Sequence, residues 1–128
     1  DALRTLKIER IESVEPLDER YDIPEEFDAT SLLASAWGIW LSDHDPVEIH
    51  LRFSPKVARR VTETRWHTSE RIEELEDGGL LWMATVAEPR EMLPWIRGWG
   101  AEVEVLSPPE LREMLLDELR RLNQLYGL

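Results

Sequence analysis

The sequence contains no cysteine. That excludes a disulfide framework, a thiol nucleophile and any Cys-based zinc site, and it leaves the redox compartment undetermined. No apolar run approaches the roughly 18 residues that a membrane span needs, and no signal peptide is visible. Glycine is scarce, six residues in 128, and confined to turns and helix ends. There is accordingly no P-loop and no dinucleotide fingerprint, and the nucleophile elbow and His-Glu-x-x-His motifs are missing too. Basic charge is in short supply: 15 Lys and Arg against 27 Asp and Glu, a formal net charge of −12. A clamp on duplex DNA needs a net-positive face, which the chain as a whole does not have.

What is present suits a folded domain. Hydrophobic residues make up 42% and charged residues 33%, enough to build a core and too apolar for wholesale disorder. The chain starts at Asp1 rather than Met, so it is expected to be a fragment of a longer protein. Residues 1–45 hold 12 of the acids and only 4 of the bases.

Three regions follow from the patterning. In residues 1–15, Leu6 and Ile8 alternate with Lys7 and Glu9, the period of a strand running on to Val14. A lone strand is not stable, so it must pair with something outside the segment. Residues 16–45 form an acidic linker. Asp28 is placed to cap a short helix over Ala29–Ile39, with Leu32, Leu33, Ala36 and Trp37 on one face.

Residues 46–128 carry regular elements. Val47, Ile49, Leu51 and Phe53 alternate with polar residues in a half-buried strand. Ser54-Pro55 opens a helix to about Thr64. Arg71–Leu75 and Leu80–Ala87 are strands joined by Asp77-Gly78-Gly79, a hairpin signal. Pro89 opens a helix to about Trp99, with Met92, Leu93, Ile96 and Trp99 as its apolar stripe. Ala101–Leu106 is a strand. Ser107 and Glu110 match a capping box ahead of a final helix, with Leu111, Met114, Leu115, Leu119, Leu122 and Tyr126 at helical spacing and Gly127 at its end. The order strand–helix–strand–strand–helix–strand–helix is that of a ferredoxin-like α+β sandwich, βαββαβ, with an added C-terminal helix that packs across an edge or mediates association.

The candidate chemistry is sparse. His44, His50 and His67 are read as ordinary histidines rather than metal ligands, and Asp43-His44-Asp45 as an acidic loop. Glu102, Glu104 and most other carboxylates fall on solvent faces, so paired-carboxylate catalysis has no assembled support and no enzyme is expected. One segment differs. Arg52, Lys56, Arg59, Arg60, Arg65 and Arg71 face only Glu63 and Glu70 within it, a basic stretch in an acidic chain. Inside it, Arg65-Trp66-His67-Thr68-Ser69 joins a cation, an aromatic ring, a histidine and hydroxyls, which suits a phosphate or a base. The alternative is that Trp66 plugs the edge of the core. Trp82, Trp95 and Trp99 are expected in the core.

The run Arg4-Thr5-Leu6-Lys7-Ile8-Glu9-Arg10-Ile11 resembles the closing strand of the WYL domain. The stretch from Val47 resembles the WYL C-terminal extension domain in Phe53-Ser54-Pro55, in Arg65-Trp66-His67-Thr68-Ser69-Glu70 (where Gln is usual in place of Glu70), in Asp77-Gly78-Gly79 and in Pro109-Glu110-Leu111-Arg112. The resemblance implies a cytoplasmic bacterial transcriptional regulator. In such a protein an N-terminal helix-turn-helix domain contacts duplex DNA, and an Sm-like WYL barrel and the extension domain sense a ligand and support a homodimer. The division implied is the last WYL strand over 1–15, the linker over 16–45 and the extension domain over 46–128. The implied effector is a nucleotide or single-stranded nucleic acid. The resemblance places its contacts at Arg4, Lys7 and Arg10 on the closing strand, and the reading of the basic segment adds Arg65, Trp66, His67 and Ser69 in the extension domain. No cofactor, metal or membrane is implied. Two other functions are compatible with the residues: a purely structural dimerisation module, and, more remotely, a small enzyme on a ferredoxin-like scaffold.

Overall fold

A computed structural model describes residues 4, 6–38, 40 and 42–128. Four strands form one antiparallel sheet in the order β2-β3-β1-β4: β1 Val47–Phe53, β2 Arg71–Glu74, β3 Leu80–Val86 and β4 Val103–Ser107. Among the described residues the α-helices are α1 Ala29–Leu33, α2 Pro55–Thr62, α3 Leu93–Trp99 and α4 Pro109–Tyr126. This is the ferredoxin-like α+β arrangement with a C-terminal helix.

The sheet is built by alternation. β1 pairs with β3 from Val47↔Val86 to Phe53↔Leu80. That register puts Ile49, Leu51, Phe53, Leu80, Trp82, Ala84 and Val86 on one face, where they are buried. β4 joins the other side of β1, adding Val105 opposite Leu51 after an irregularity between His50 and Leu51. Val57 and Val61 of α2, Ile96 of α3 and Leu111 of α4 cover this face, together with Met92 from the 3-10 turn Pro89–Met92 ahead of α3. The Trp82 side chain is wholly enclosed; truncating such a residue to Ala costs about 3–5 kcal/mol.

The opposite face carries cross-strand charge. Arg71 Nη2 reaches Glu48 Oε1 at 3.3 Å and His50 Nε2 meets the same oxygen at 2.6 Å. Met83, between Arg71 and His50 in register, is buried although it points away from the core.

The β2–β3 turn depends on two glycines. Gly78 has φ +85°. A Cβ on Gly79 would stand 2.6 Å from the Phe53 carbonyl oxygen, closer than any packed side chain tolerates. Asp77 fixes this turn by accepting from the Gly79 N–H at 2.8 Å and from Arg52 Nη2 at 2.8 Å.

Three expectations need correction. The strand expected over 1–15 is not formed among its described residues. They are exposed, with a single 3-10 turn at Ile8–Arg10. The alternation is there, but no strand stands beside it, and an unpaired strand has no ladder to satisfy its backbone. The capping box at Ser107 and Glu110 is also absent. Ser107 ends β4, Pro108 occupies the N-cap position and α4 starts at Pro109 without a side-chain cap. Finally, the linker helix is shorter than expected. Asp28 does cap it, accepting from the Thr30 N–H at 3.0 Å, but it stops at Leu33. The last residue of the expected helix, Ile39, lies outside the described residues.

Candidate functional site

The segment 65–70 sits between α2 and β2, and every one of its residues makes a hydrogen bond within the protein. Arg65 Nη2 donates to the Thr68 carbonyl at 2.7 Å. Trp66 Nε1 donates to the Val61 carbonyl at 2.9 Å, tying the ring to the end of α2. Glu70 closes the turn: its Oε2 accepts from the Trp66 N–H at 3.2 Å and from Trp82 Nε1 at 2.7 Å. Ser69 Oγ accepts from the Thr85 N–H at 2.8 Å, joining the turn to β3.

His67 is buried and ties the turn to the linker. Its Nδ1 accepts from the Ser69 N–H at 3.1 Å, so that nitrogen carries no proton. Nε2 therefore holds the hydrogen and donates to the Ala36 carbonyl at 3.2 Å. The ring also stacks on Trp37, centroids 6.1 Å apart and nearly coplanar. Thr68 Oγ1 donates to the Ala34 carbonyl at 3.3 Å, and the Ala87 N–H to the Ser35 carbonyl at 2.8 Å. Trp40 N–H reaches the Glu91 carboxylate. The end of the linker is thus held on the domain, largely through its own carbonyls.

Beside this clasp lies an open groove of about 490 Å³ between α2 and α3. Trp66, Trp95 and Trp99 form its aromatic wall, Arg60 and Glu63 its charged rim, and Gly98 its open floor. The three rings pack on one another at centroid distances of 5.3 to 6.1 Å. The Arg60 guanidinium lies 5.0 Å over the Trp99 ring, a cation–π contact worth about 0.5–1 kcal/mol at an exposed site. Arg60 has no carboxylate partner among the described residues, whereas Arg59 pairs with Glu63 at 3.2 Å. Trp95 Nε1 is buried and has no acceptor there.

Of the residues expected to contact an effector, only Trp66 lines this groove. Arg65 is beside it in sequence and exposed. His67 and Ser69 are turned into the clasp. Arg4, Lys7 and Arg10 are exposed on the N-terminal arm, and none forms a salt bridge among the described residues. Trp82 is core, as expected. Trp95 and Trp99 are only half-buried, because α3 presents their outer edges to the groove. Arg60 and Gly98 were not legible as groove residues. Arg60 has the spacing of an ordinary outward helical charge, and only the fold brings Trp99 under it.

Among the described residues no group of three His, Asp or Glu side chains is arranged to hold a metal ion. No helix among them is long and apolar enough to cross a membrane.

A family model described as the WCX domain matches residues 45–122. A search of curated proteins finds no match.

Proposed function

The chain belongs to the WCX-domain family, the C-terminal extension of WYL-type regulators, and from this we propose that it is the effector-sensing and dimerisation part of a bacterial transcriptional regulator. Duplex DNA is contacted by a separate N-terminal domain, in keeping with a net charge of −12 on the residues here. Residues 1–15 are the end of a preceding WYL barrel and take up its closing strand only where that barrel pairs with them, 16–45 are the linker and 46–128 the extension domain. On this reading Arg4, Lys7 and Arg10 meet the effector from the barrel side. Trp66 and Arg65 meet it from the extension domain. His67 and Ser69 act through the linker, by holding it. The protein works in the cytoplasm as a homodimer and catalyses nothing.

The observation that carries the reading is the clasp. One six-residue turn, 65–70, holds the linker end on one side and supplies a groove wall on the other. A ligand that prefers one linker position would shift the population of DNA-competent arrangements by its difference in affinity.

Association is supported by α4. Leu111 is buried by the sheet, but Leu119, Leu122, Leu125 and Tyr126 on the same side of the helix are exposed. In a second reading the module is purely structural. The internal hydrogen bonds made by all six residues of 65–70 favour it, since a turn so engaged needs no ligand to explain its residues.

Operator binding by the intact regulator separates the two. An effector module predicts that nucleotides or short single strands change operator affinity, and that the Arg65→Ala/Trp66→Ala variant loses the response. A structural module predicts no response in either protein. Sedimentation of the present chain tests association: a monomer at high micromolar concentration removes the dimerisation role from these residues.

A further inference from the structure

The groove between α2 and α3 differs from the rest of this surface. In a chain rich in acids, the Arg60 guanidinium has no carboxylate partner among the described residues and lies instead over a ring face. Its charge is therefore available to an outside anion. Next to it, Trp66 and Trp99 offer half-buried rings at a T-shaped angle, 5.9 Å apart. Base-on-ring stacking is tolerant of which base is bound, because every base has a π-face. Trp95, whose ring lines the groove, carries a buried donor with no acceptor among the described residues. The volume, about 490 Å³, falls within the few hundred to a thousand Å³ typical of small-ligand sites. A Cβ on Gly98 would meet nothing within 4 Å, so the floor is open.

Resting on the reading that this domain senses an effector, we propose that this groove is the effector's seat and that it takes a nucleobase bearing a phosphate, the base stacking on the Trp66 ring and meeting the nearly perpendicular Trp99 ring edge-on, with the phosphate lying on Arg60. The same chemistry is offered by a free nucleotide and by a nucleotide within a single strand. Glu63 at the rim opposes the anion, though its 3.2 Å bond to Arg59 draws it toward the outer face of α2. Neutralising it strengthens binding.

The test is calorimetric titration of the whole chain at low salt with adenosine monophosphate, a five-nucleotide deoxyadenylate and inorganic phosphate. The expected result is binding of the first or the second, with inorganic phosphate much weaker. Mononucleotide binding identifies a free nucleotide, and binding of the pentamer alone identifies a strand. Arg60→Gln weakens binding at least tenfold and Glu63→Gln tightens it. Gly98→Leu, which fills the groove from its open floor, abolishes binding while the melting temperature is kept. Arg71→Gln, which lies outside the groove and pairs with Glu48 on the opposite face of the sheet, binds as the parent does.

Equal binding of phosphate and nucleotide overturns the proposal, as does absence of binding to both nucleotides. Unchanged binding in both Arg60→Gln and Gly98→Leu also overturns it. In each of those cases the broader regulatory reading stands or falls separately, on whether the intact regulator's operator affinity responds to nucleotides.

Discussion

His67 Nε2 donates to the Ala36 carbonyl at 3.2 Å across 31 residues of chain, and the same ring stacks on Trp37 next door. A single side chain thereby joins the linker to the turn that walls the groove. Trp37 in turn packs on Trp95 at 4.8 Å, so linker and groove share one aromatic cluster.

Replacing His67 by Ala removes both contacts and leaves Ser69 and Ala36 groups unpaired. A loss of about 1–3 kcal/mol is expected. The discriminating measurement is hydrogen exchange at Ala87, whose amide is bonded to the Ser35 carbonyl. Its protection should fall in His67→Ala while amides in the centre of β1 keep theirs. Equal loss at both places would mean global unfolding rather than release of the linker.

Glu70 accepts both of its hydrogen bonds on one oxygen. A Gln at this position has one such oxygen and can accept the same two donors. Glu70→Gln should therefore keep the stability of the parent within about 0.5 kcal/mol, whereas Glu70→Ala should cost about 2–3 kcal/mol by stranding the indole N–H of Trp82. Denaturant midpoints measured on the two variants decide it.

Gly79 cannot accept a side chain without moving the Phe53 carbonyl. Gly79→Ala is expected to cost about 1–3 kcal/mol, as overpacking against backbone does. Gly98→Ala, with open space in the same direction, should be neutral or stabilising, because alanine is the better helix former. Thermal melts of the pair provide the comparison.

Acid sensitivity follows from the surface carboxylates. Glu102 accepts from Ser54 and, at 3.0 Å, from Lys56. The Ser54 bond chiefly, then the lysine, holds its carboxyl below the ordinary value of 4.5. Asp77 is held below 3.8, first by the Gly79 N–H and then by Arg52. A carboxylate lowered in the folded state stabilises the fold above its unfolded value and loses that contribution as pH falls through the folded one. These two carboxylates should make the melting temperature drop as pH falls below about 4. The Glu102→Gln/Asp77→Asn variant should show a shallower drop over the same range.

The sheet was legible because Val47–Phe53 and Leu80–Val86 alternate strictly, and because Asp77-Gly78-Gly79 needs a conformation that few residues adopt. The start of α4 misled for a local reason: Ser107 has the right spacing for a cap, but the two prolines after it shift the cap position to Pro108. Residues 4–14 misled for a non-local one, since alternation records a strand's faces and says nothing of its neighbour. The basic turn was found, while its roles were not. His67 and Ser69 find their partners at Ala36 and Thr85, and Arg60 finds Trp99, through contacts that no window of sequence contains. Trp66 was readable either as a platform or as a plug; its nitrogen is anchored to the Val61 carbonyl and its ring lines the groove.

The linker is gripped by its carbonyls at Ala34, Ser35 and Ala36, and this sets a length. With the clasp closed, the span without regular structure before α1 runs from residue 15 to 28, at most about 50 Å at the roughly 3.5 Å that each extended residue covers. With the clasp open the same tether can pay out to residue 45, about 100 Å on the same rule with α1 kept at the roughly 1.5 Å per residue of a helix. Closing the clasp therefore confines whatever is attached ahead of residue 15 to a much smaller volume and raises its effective concentration at the domain surface, a change in reach that requires no change in shape of the domain itself.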